Sequence, residues 1–334
     1  MHDLRKPYLV FLGDVSLRSD AKTGFGLRDW CPGDVMGECA LPTATVSLAL
    51  PTMTPTEAAS RGAGSIVIGV APPGGRLPES WIPTLAEALR AGLDVVSGMH
   101  TRLQRYPLLV DAAKQGGARL IDVRHSDREW PIGTGLKRAG RRLLTVGTDC
   151  ALGKKYTALA ITRALTTLGA KATFRATGQT GILISGQGVP IDAVVADFVA
   201  GAAEALSPAN EADHWDVVEG QGALFHPAYA GVTLGLLHGT QPDAIVLCHD
   251  PSRHTIEDHP HIPLPPLDEA IRRYLEAGRL TNPAIRCVGV AINSSTLSEA
   301  EWVRYRDQLY SQLRLPVCDP MRGGVGAIAQ ALLA

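Results

Sequence analysis

Short apolar runs that stop at glycine, an acid or a turn recur along this chain, with stretches of helical spacing between them. Tyr8–Leu12 ends at Gly13-Asp14. Ser65–Val70 ends in the turn Ala71-Pro72-Pro73-Gly74-Gly75. Leu93–Ser97 and Ala118–Val123 are two further runs of strand length. Between them, Trp81–Ala91 places Ile82, Leu85, Ala86 and Leu89 on one helical face, with Gly92 as the stop. Pro107–Gln115 fits another helix. The alternation predicts an open, mostly parallel sheet flanked by helices.

From His125 to Arg142 the pattern lapses into a polar, Gly-rich stretch carrying Lys137, Arg138, Arg141 and Arg142. A domain junction is expected there, dividing the chain into 1–135 and 136–334. The pattern then restarts. Arg142–Val146 reads as a strand, Gly147–Lys155 as a loop, and the chain after it as a helix to about Leu168. Lys171–Arg175, Trp215–Glu219, Ala244–Cys248 and Cys287–Ile292 read as strands, Asp192–Ala205 as a helix, and Pro260–Pro266 as an extended surface segment. In open α/β sheets ligands sit beyond the carboxyl ends of the strands, so the polar residues there are the site candidates.

Composition narrows the function classes. The 334 residues suit two domains, and 45% hydrophobic with 19% charged residues is ample for folded cores. Lysine plus arginine (32) balances aspartate plus glutamate (33), which gives no electrostatic case for nucleic acid or an anionic membrane as partner. No apolar run approaches the roughly 20 residues that span a bilayer, and Tyr8–Gly13 is too short for the core of a signal peptide. The six cysteines form no CxxC pair and read as reduced thiols. The expectation is a soluble cytoplasmic protein acting on a small molecule.

The strongest chemical signal is Leu143-Leu144-Thr145-Val146-Gly147-Thr148-Asp149-Cys150-Ala151-Leu152-Gly153-Lys154-Lys155-Tyr156-Thr157. An apolar strand enters a glycine-containing loop, then Gly-Lys, then a helix. Such a loop turns backbone N–H groups toward a phosphate, the helix N-terminus adds partial positive charge, and Lys154 adds a full one. Gly147, Thr148, Asp149, Gly153, Lys154, Lys155 and Thr157 are the expected phosphate-binding residues. The loop departs from GxxxxGK[ST] in two ways. Five residues separate Gly147 from Gly153, as in dethiobiotin synthetase, which the Gly147-Thr148-Asp149 start resembles. Lys155 stands where Ser or Thr would ligate Mg²⁺, with Thr157 an imperfect substitute.

Other strand ends supply further candidates. Arg175, Thr177, Gln179 and Thr180 cluster in Phe174–Gly181, where Arg175 could pair with a carboxylate or phosphate. Glu219, in Val218-Glu219-Gly220-Gln221-Gly222, resembles the acid of dethiobiotin synthetase that helps hold Mg²⁺. It is a metal ligand if Mg–ATP is bound, and otherwise a general base. His226 is a second candidate for proton transfer. Asp250-Pro251-Ser252-Arg253-His254 could line the ligand's base or ribose. Cys150, near a helix N-terminus, is expected to have a lowered thiol pKa. In the first half, Lys22-Thr23-Gly24-Phe25-Gly26, Trp30-Cys31-Pro32-Gly33, Ala71–Gly75 and Ser97-Gly98-Met99-His100 are loop candidates.

Assembled, the segments Ala21–Gly26, Ile68–Pro78, Gly92–His100, Gly147–Lys154, Ala176–Gly181, Ile191–Gly201 and Val218–Gly222 resemble one family nearly end to end. It is a P-loop family with a Rossmann-like N-terminal domain, and it includes the D-glutamate N-acetyltransferases of the DgcN type. The resemblance implies an α/β fold of two domains, a Rossmann-like N-terminal sheet and a P-loop NTPase-like C-terminal parallel sheet. It implies acetyl-CoA as co-substrate, with the loop holding the CoA phosphates, and an amino acid such as D-glutamate as acceptor. Glu219 or His226 would then be the base, Gln179 or Gln221 an oxyanion or substrate contact, and Arg175 with Lys22 the partners of the two carboxylates. The rival readings are a Mg–ATP-dependent kinase or ligase resembling dethiobiotin synthetase, and a nucleotide-sensing binding protein. A homo-oligomer is expected because many two-domain α/β enzymes form one.

Overall fold

A computed structural model describes residues 4–71, 75–125 and 128–334. The chain forms two compact units, Met1–Asp127 with Gln179–Pro190, and Arg128–Gly178 with Ile191–Ala334. The expected division at 135/136 therefore differs on two counts. Residues 128–135 go with the second unit, where Thr134 and Gly135 donate backbone N–H bonds to Glu204. The short segment Gln179–Pro190 crosses to the first unit. No break in the hydrophobic pattern marks that crossing.

The first unit contains β1 (Tyr8–Gly13), α1 (Lys22–Trp30), β2 (Val35–Ala40), α2 (Pro55–Ser60), β3 (Ser65–Ile68), α3 (Ile82–Arg90), β4 (Asp94–Ser97), α4 (Pro107–Gly116) and β5 (Leu120–Asp122). The strands pair in parallel in the order β2-β1-β3-β4-β5. Every residue of β1, β3 and β4 is buried. Strands covered on both faces read as continuous apolar runs, which is why these were legible. β2 was not: its Val-Met-Gly-Glu-Cys-Ala mixes a buried acid into the run, and Glu38 is satisfied by Ser47 and the Leu48 N–H. Ile82, Leu85, Ala86 and Leu89 are the buried face of α3. The expected turn at Ala71–Gly75 falls mostly outside the described residues.

The second unit is a parallel sheet in the order β13-β12-β9-β6-β8-β7, with a two-stranded hairpin, β10–β11, beside it. Its elements are β6 (Arg141–Gly147), α5 (Lys154–Thr167), β7 (Ala172–Arg175), α7 (Val199–Leu206), β8 (Trp215–Val218), α8 (Ala230–Thr240), β9 (Ala244–His249), β10 (Thr255–Ile256), β11 (His259–Pro263), α9 (Leu267–Gly278), β12 (Arg286–Ile292), α10 (Glu299–Leu313), β13 (Val317–Cys318) and α11 (Gly326–Leu333), while α6 (Gln179–Ser185), which follows β7 in the chain, belongs to the first unit. The central β6 lies between β8 and β9, in register Leu144↔Val218 and Gly147↔Cys248. The expected helix Asp192–Ala205 is instead two short 3₁₀ turns, at Ile191–Ala193 and Ala196–Phe198, followed by α7. The β-branched pair Val194-Val195 lies between the turns, and such residues lose side-chain freedom in a helix. Part of the expected extended segment Pro260–Pro266 is strand β11.

The basic stretch at the junction is structural. Arg142 is 1% exposed, and its guanidinium donates to Ser207 Oγ and to the carbonyls of Arg138, Ala139 and Pro208. Lys137 pairs with Asp243 at 2.8 Å. No helix among the described residues is long and apolar enough to cross a membrane.

Candidate functional site

The site of the second unit is built where the central strands end. β6 finishes at Gly147, whose carbonyl accepts the buried Tyr274 hydroxyl of α9 at 2.8 Å. Thr148 donates its N–H to the Cys248 carbonyl and shares a 2.9 Å bond with His249 Nδ1. Burial pushes His249 down to about 4, so the ring is neutral at physiological pH. The loop closes through Gly153, whose φ of +97° suits glycine and few other residues. Gly153 is the N-cap of α5 and supplies no side-chain cap, so the positive end of that helix faces the loop without a capping hydroxyl or carboxylate from this residue. Lys154 is buried and donates Nζ to the Asp149 carbonyl at 2.7 Å, and burial lowers its pKa.

Two expected phosphate contacts turn out to have other partners. The Asp149 carboxylate is fully buried and occupied: Oδ1 accepts the Cys150 N–H at 2.7 Å, and Oδ2 accepts Arg253 Nη1 at 2.9 Å and the Glu257 N–H at 2.8 Å. It ties the loop to the β10–β11 hairpin. Thr157 lies three residues into α5, on the face turned to the sheet, where its hydroxyl accepts the Cys248 thiol. Cys150 also departs from expectation. Burial raises its thiol pKa, outweighing the neighbouring Lys154 charge.

Glu219 follows β8 directly. Its Oε2 accepts the backbone N–H groups of Thr177 and Gly178 at 3.0 and 3.1 Å. The residue is 4% exposed. Burial raises its pKa, and the Lys155 charge and the two N–H bonds pull it partly back. Gly220 then lets Lys154 pass, since a Cβ there would meet the Thr145 carbonyl and the Lys154 Cδ. Thr177 donates its hydroxyl to the Glu219 carbonyl and accepts Gln221 Nε2 at 3.2 Å.

His226 is 4% exposed. Its Nδ1 accepts the Ala228 N–H at 3.1 Å, and its ring stacks on Tyr229 at 4.4 Å and meets His259 edge-on at 5.2 Å. Asp149, Cys150 and His226 bring three potential ligand atoms within 4.8 Å of one another. They do not fit a resident cation. Arg253 already neutralises the carboxylate, and the Ala228 N–H fills one ring nitrogen. Ser252, Arg253 and His254 line a cavity of about 370 Å³ against the hairpin.

The remaining candidates are dispersed. Arg175 is the last residue of β7, but it gives its Nε at 2.9 Å to the buried Asp216, two residues back from the end of β8. Gln179 and Thr180 belong to the first unit, where Gln179 Oε1 accepts Arg124 at 2.8 Å and the Thr180 hydroxyl meets that of Thr23 at 2.9 Å. Lys22 is exposed at the start of α1. Sequence reasoning missed His249 and Tyr274. His249 sits at a strand end like Glu219 and carried the same signal. Tyr274 sits in an amphipathic helix and carried none.

Comparison with known proteins agrees with this architecture. The domain of unknown function DUF1611_C, described as a P-loop domain, matches residues 131–329. DUF1611_N, described as Rossmann-like, matches residues 36–126. A relative from Tritonibacter scottomollicae is 46% identical over 331 residues, 99% of each chain. One from Pseudoalteromonas sp is 43% identical over 329 residues, 98% of this chain and 99% of its own. Both are called D-glutamate N-acetyltransferase. The crystal structure of a DUF1611 family protein from Anabaena variabilis superposes with a TM-score of 0.89 at 32% identity, over 98% of this chain and 99% of that one.

Proposed function

The chain belongs to the DUF1611 family, and from that premise and its site we propose that it is a D-glutamate N-acetyltransferase using acetyl-CoA. The observation that carries the mechanism is Glu219: a nearly buried carboxylate at a strand end with one oxygen held by two backbone N–H groups, which fixes the direction of the other. Burial holds its pKa above the ordinary range, which suits a general base at neutral pH.

Glu219 Oε1 takes a proton from the substrate ammonium. The freed amine attacks the thioester carbonyl, the C–S bond breaks, and the CoA thiolate leaves and takes up a proton. The phosphate loop supports the donor through the α5 N–H groups and Lys154. Lys155 adds positive charge where a Mg²⁺-binding hydroxyl would stand, which favours a phosphate ligand held without metal. Thr177 and Gln221, linked to each other beside Glu219, are the proposed acceptor contacts in this unit. Work in the cytoplasm and as a homo-oligomer belongs to the same proposal.

The test is thiol release from acetyl-CoA with D-glutamate or L-glutamate as acceptor. Release that requires D-glutamate and yields its N-acetyl product supports the reading. A protein that binds acetyl-CoA and acetylates neither isomer contradicts it.

A further inference from the structure

His226 was a candidate base on sequence grounds, and its surroundings give it a different part. A base must offer a lone pair. The Nδ1 lone pair of His226 is already taken by the Ala228 N–H at 3.1 Å. In a neutral imidazole that accepts at Nδ1, the proton sits on Nε2, which can then only donate. Among the described residues no hydrogen bond to Nε2 is present, and the residue as a whole is 4% exposed. The ring is held in orientation by contacts with the Tyr229 and His259 rings. It borders Asp149 and Cys150, the middle of the phosphate loop.

We propose that His226 is a phosphate-binding residue of this loop, a neutral Nε2–H donor to an oxygen of the ligand's pyrophosphate, and not a proton acceptor. The inference rests on the acetyl-CoA reading only for the identity of the donor substrate; the chemistry recognised is a pyrophosphate. Burial lowers the pKa of His226 and so keeps the ring in the donating neutral form. A neutral donor also suits its neighbours: Asp149 is already neutralised by Arg253, and a second fixed cation would disturb that pair.

The experiment is titration of the full-length chain with inorganic pyrophosphate and with acetyl-CoA, in wild type, His226→Ala and His226→Gln, alongside steady-state kinetics. Loss of a hydrogen bond to a charged group is expected to weaken both ligands by about 10- to 100-fold in His226→Ala. Glutamine carries an N–H donor, cannot act as a base, and is expected to recover most of that loss. The kinetic defect is expected in KM for acetyl-CoA, with kcat nearly unchanged. Wild-type affinity for pyrophosphate in His226→Ala overturns the inference, and so does a collapse of kcat shared equally by both variants at unchanged KM. Binding of pyrophosphate but not acetyl-CoA by wild type would instead overturn the acetyl-CoA reading, leaving the pyrophosphate comparison to decide the role of His226.

Discussion

Arg253 Nη1 lies 2.9 Å from Asp149 Oδ2, so the third residue of the phosphate loop is joined to the segment that leads into the β10–β11 hairpin. The same oxygen accepts the Glu257 N–H, and Arg253 also holds the Cys150 carbonyl. Asp149 is fully buried and cannot easily lose its cation. Replacing Arg253 with Met is expected to cost about 1–3 kcal/mol, the penalty for an under-satisfied buried polar group. Denaturant unfolding would measure it. Faster amide exchange in Thr255–Pro263 should accompany it, and unchanged exchange there would contradict the clasp.

Glu219→Gln removes the proposed base while keeping the side chain's size. Turnover is expected to fall about 10²- to 10⁴-fold with little change in KM for acetyl-CoA. The wild-type rate should fall on the acid side as Glu219 protonates, at a pH above the ordinary glutamate range because burial raises its pKa. That acid limb should vanish in the variant. The linkage has a definite sign. A carboxyl whose pKa is raised by folding stabilises the protein below its unfolded pKa, and that contribution is lost as pH rises through the folded value. Glu219→Gln should therefore be the more stable protein at neutral pH, which thermal unfolding would show.

Lys154 lies on the loop backbone, bonded to the Asp149 carbonyl and close to Gly147. Substitution by Met is expected to weaken acetyl-CoA binding by about 10- to 100-fold, the worth of a hydrogen bond to a charged group. Equal affinity in wild type and variant would remove the loop from the binding account.

In the first unit, the buried Asp94 bridges Arg5 and Arg119, with bonds of 2.5 to 2.9 Å. Asp94→Asn is expected to destabilise the protein by about 1.5–3 kcal/mol. Burial alone would raise the Asp94 pKa, but Arg5 and Arg119 hold it below the usual range. Its contribution is therefore complete above the unfolded aspartate value and lost as pH falls through the folded one. Chemical unfolding from neutral pH into the acid range should show the difference between wild type and variant shrinking.

Much of this was readable in the sequence for one physical reason. A parallel strand covered on both faces must be apolar throughout and must end in residues that release the chain, so β1, β3, β4, β6, β8 and β9 announced themselves. The same rule located Gly147 and Glu219 at strand ends, and the Gly-Lys signature placed Lys154 at the start of the helix that follows. What it could not show was which partner takes each polar side chain. Arg175 looked like an anion receptor until Asp216, 41 residues away, claimed it. Asp149 looked like part of a phosphate cradle until Arg253 did. Cys150 followed the helix-terminus rule on paper, but burial outweighs that rule. The crossing of Gln179–Pro190 was hidden because Ala176–Gly181 is one uninterrupted polar, Gly-rich motif whose two ends belong to different units.

The most direct measurement is calorimetric titration of the purified protein with acetyl-CoA in the absence of divalent cations, and separately with ATP plus Mg²⁺. Micromolar binding of acetyl-CoA without metal is the expected result. Binding of ATP only in the presence of Mg²⁺, with no response to acetyl-CoA, would contradict it and point to an ATP-dependent kinase or ligase.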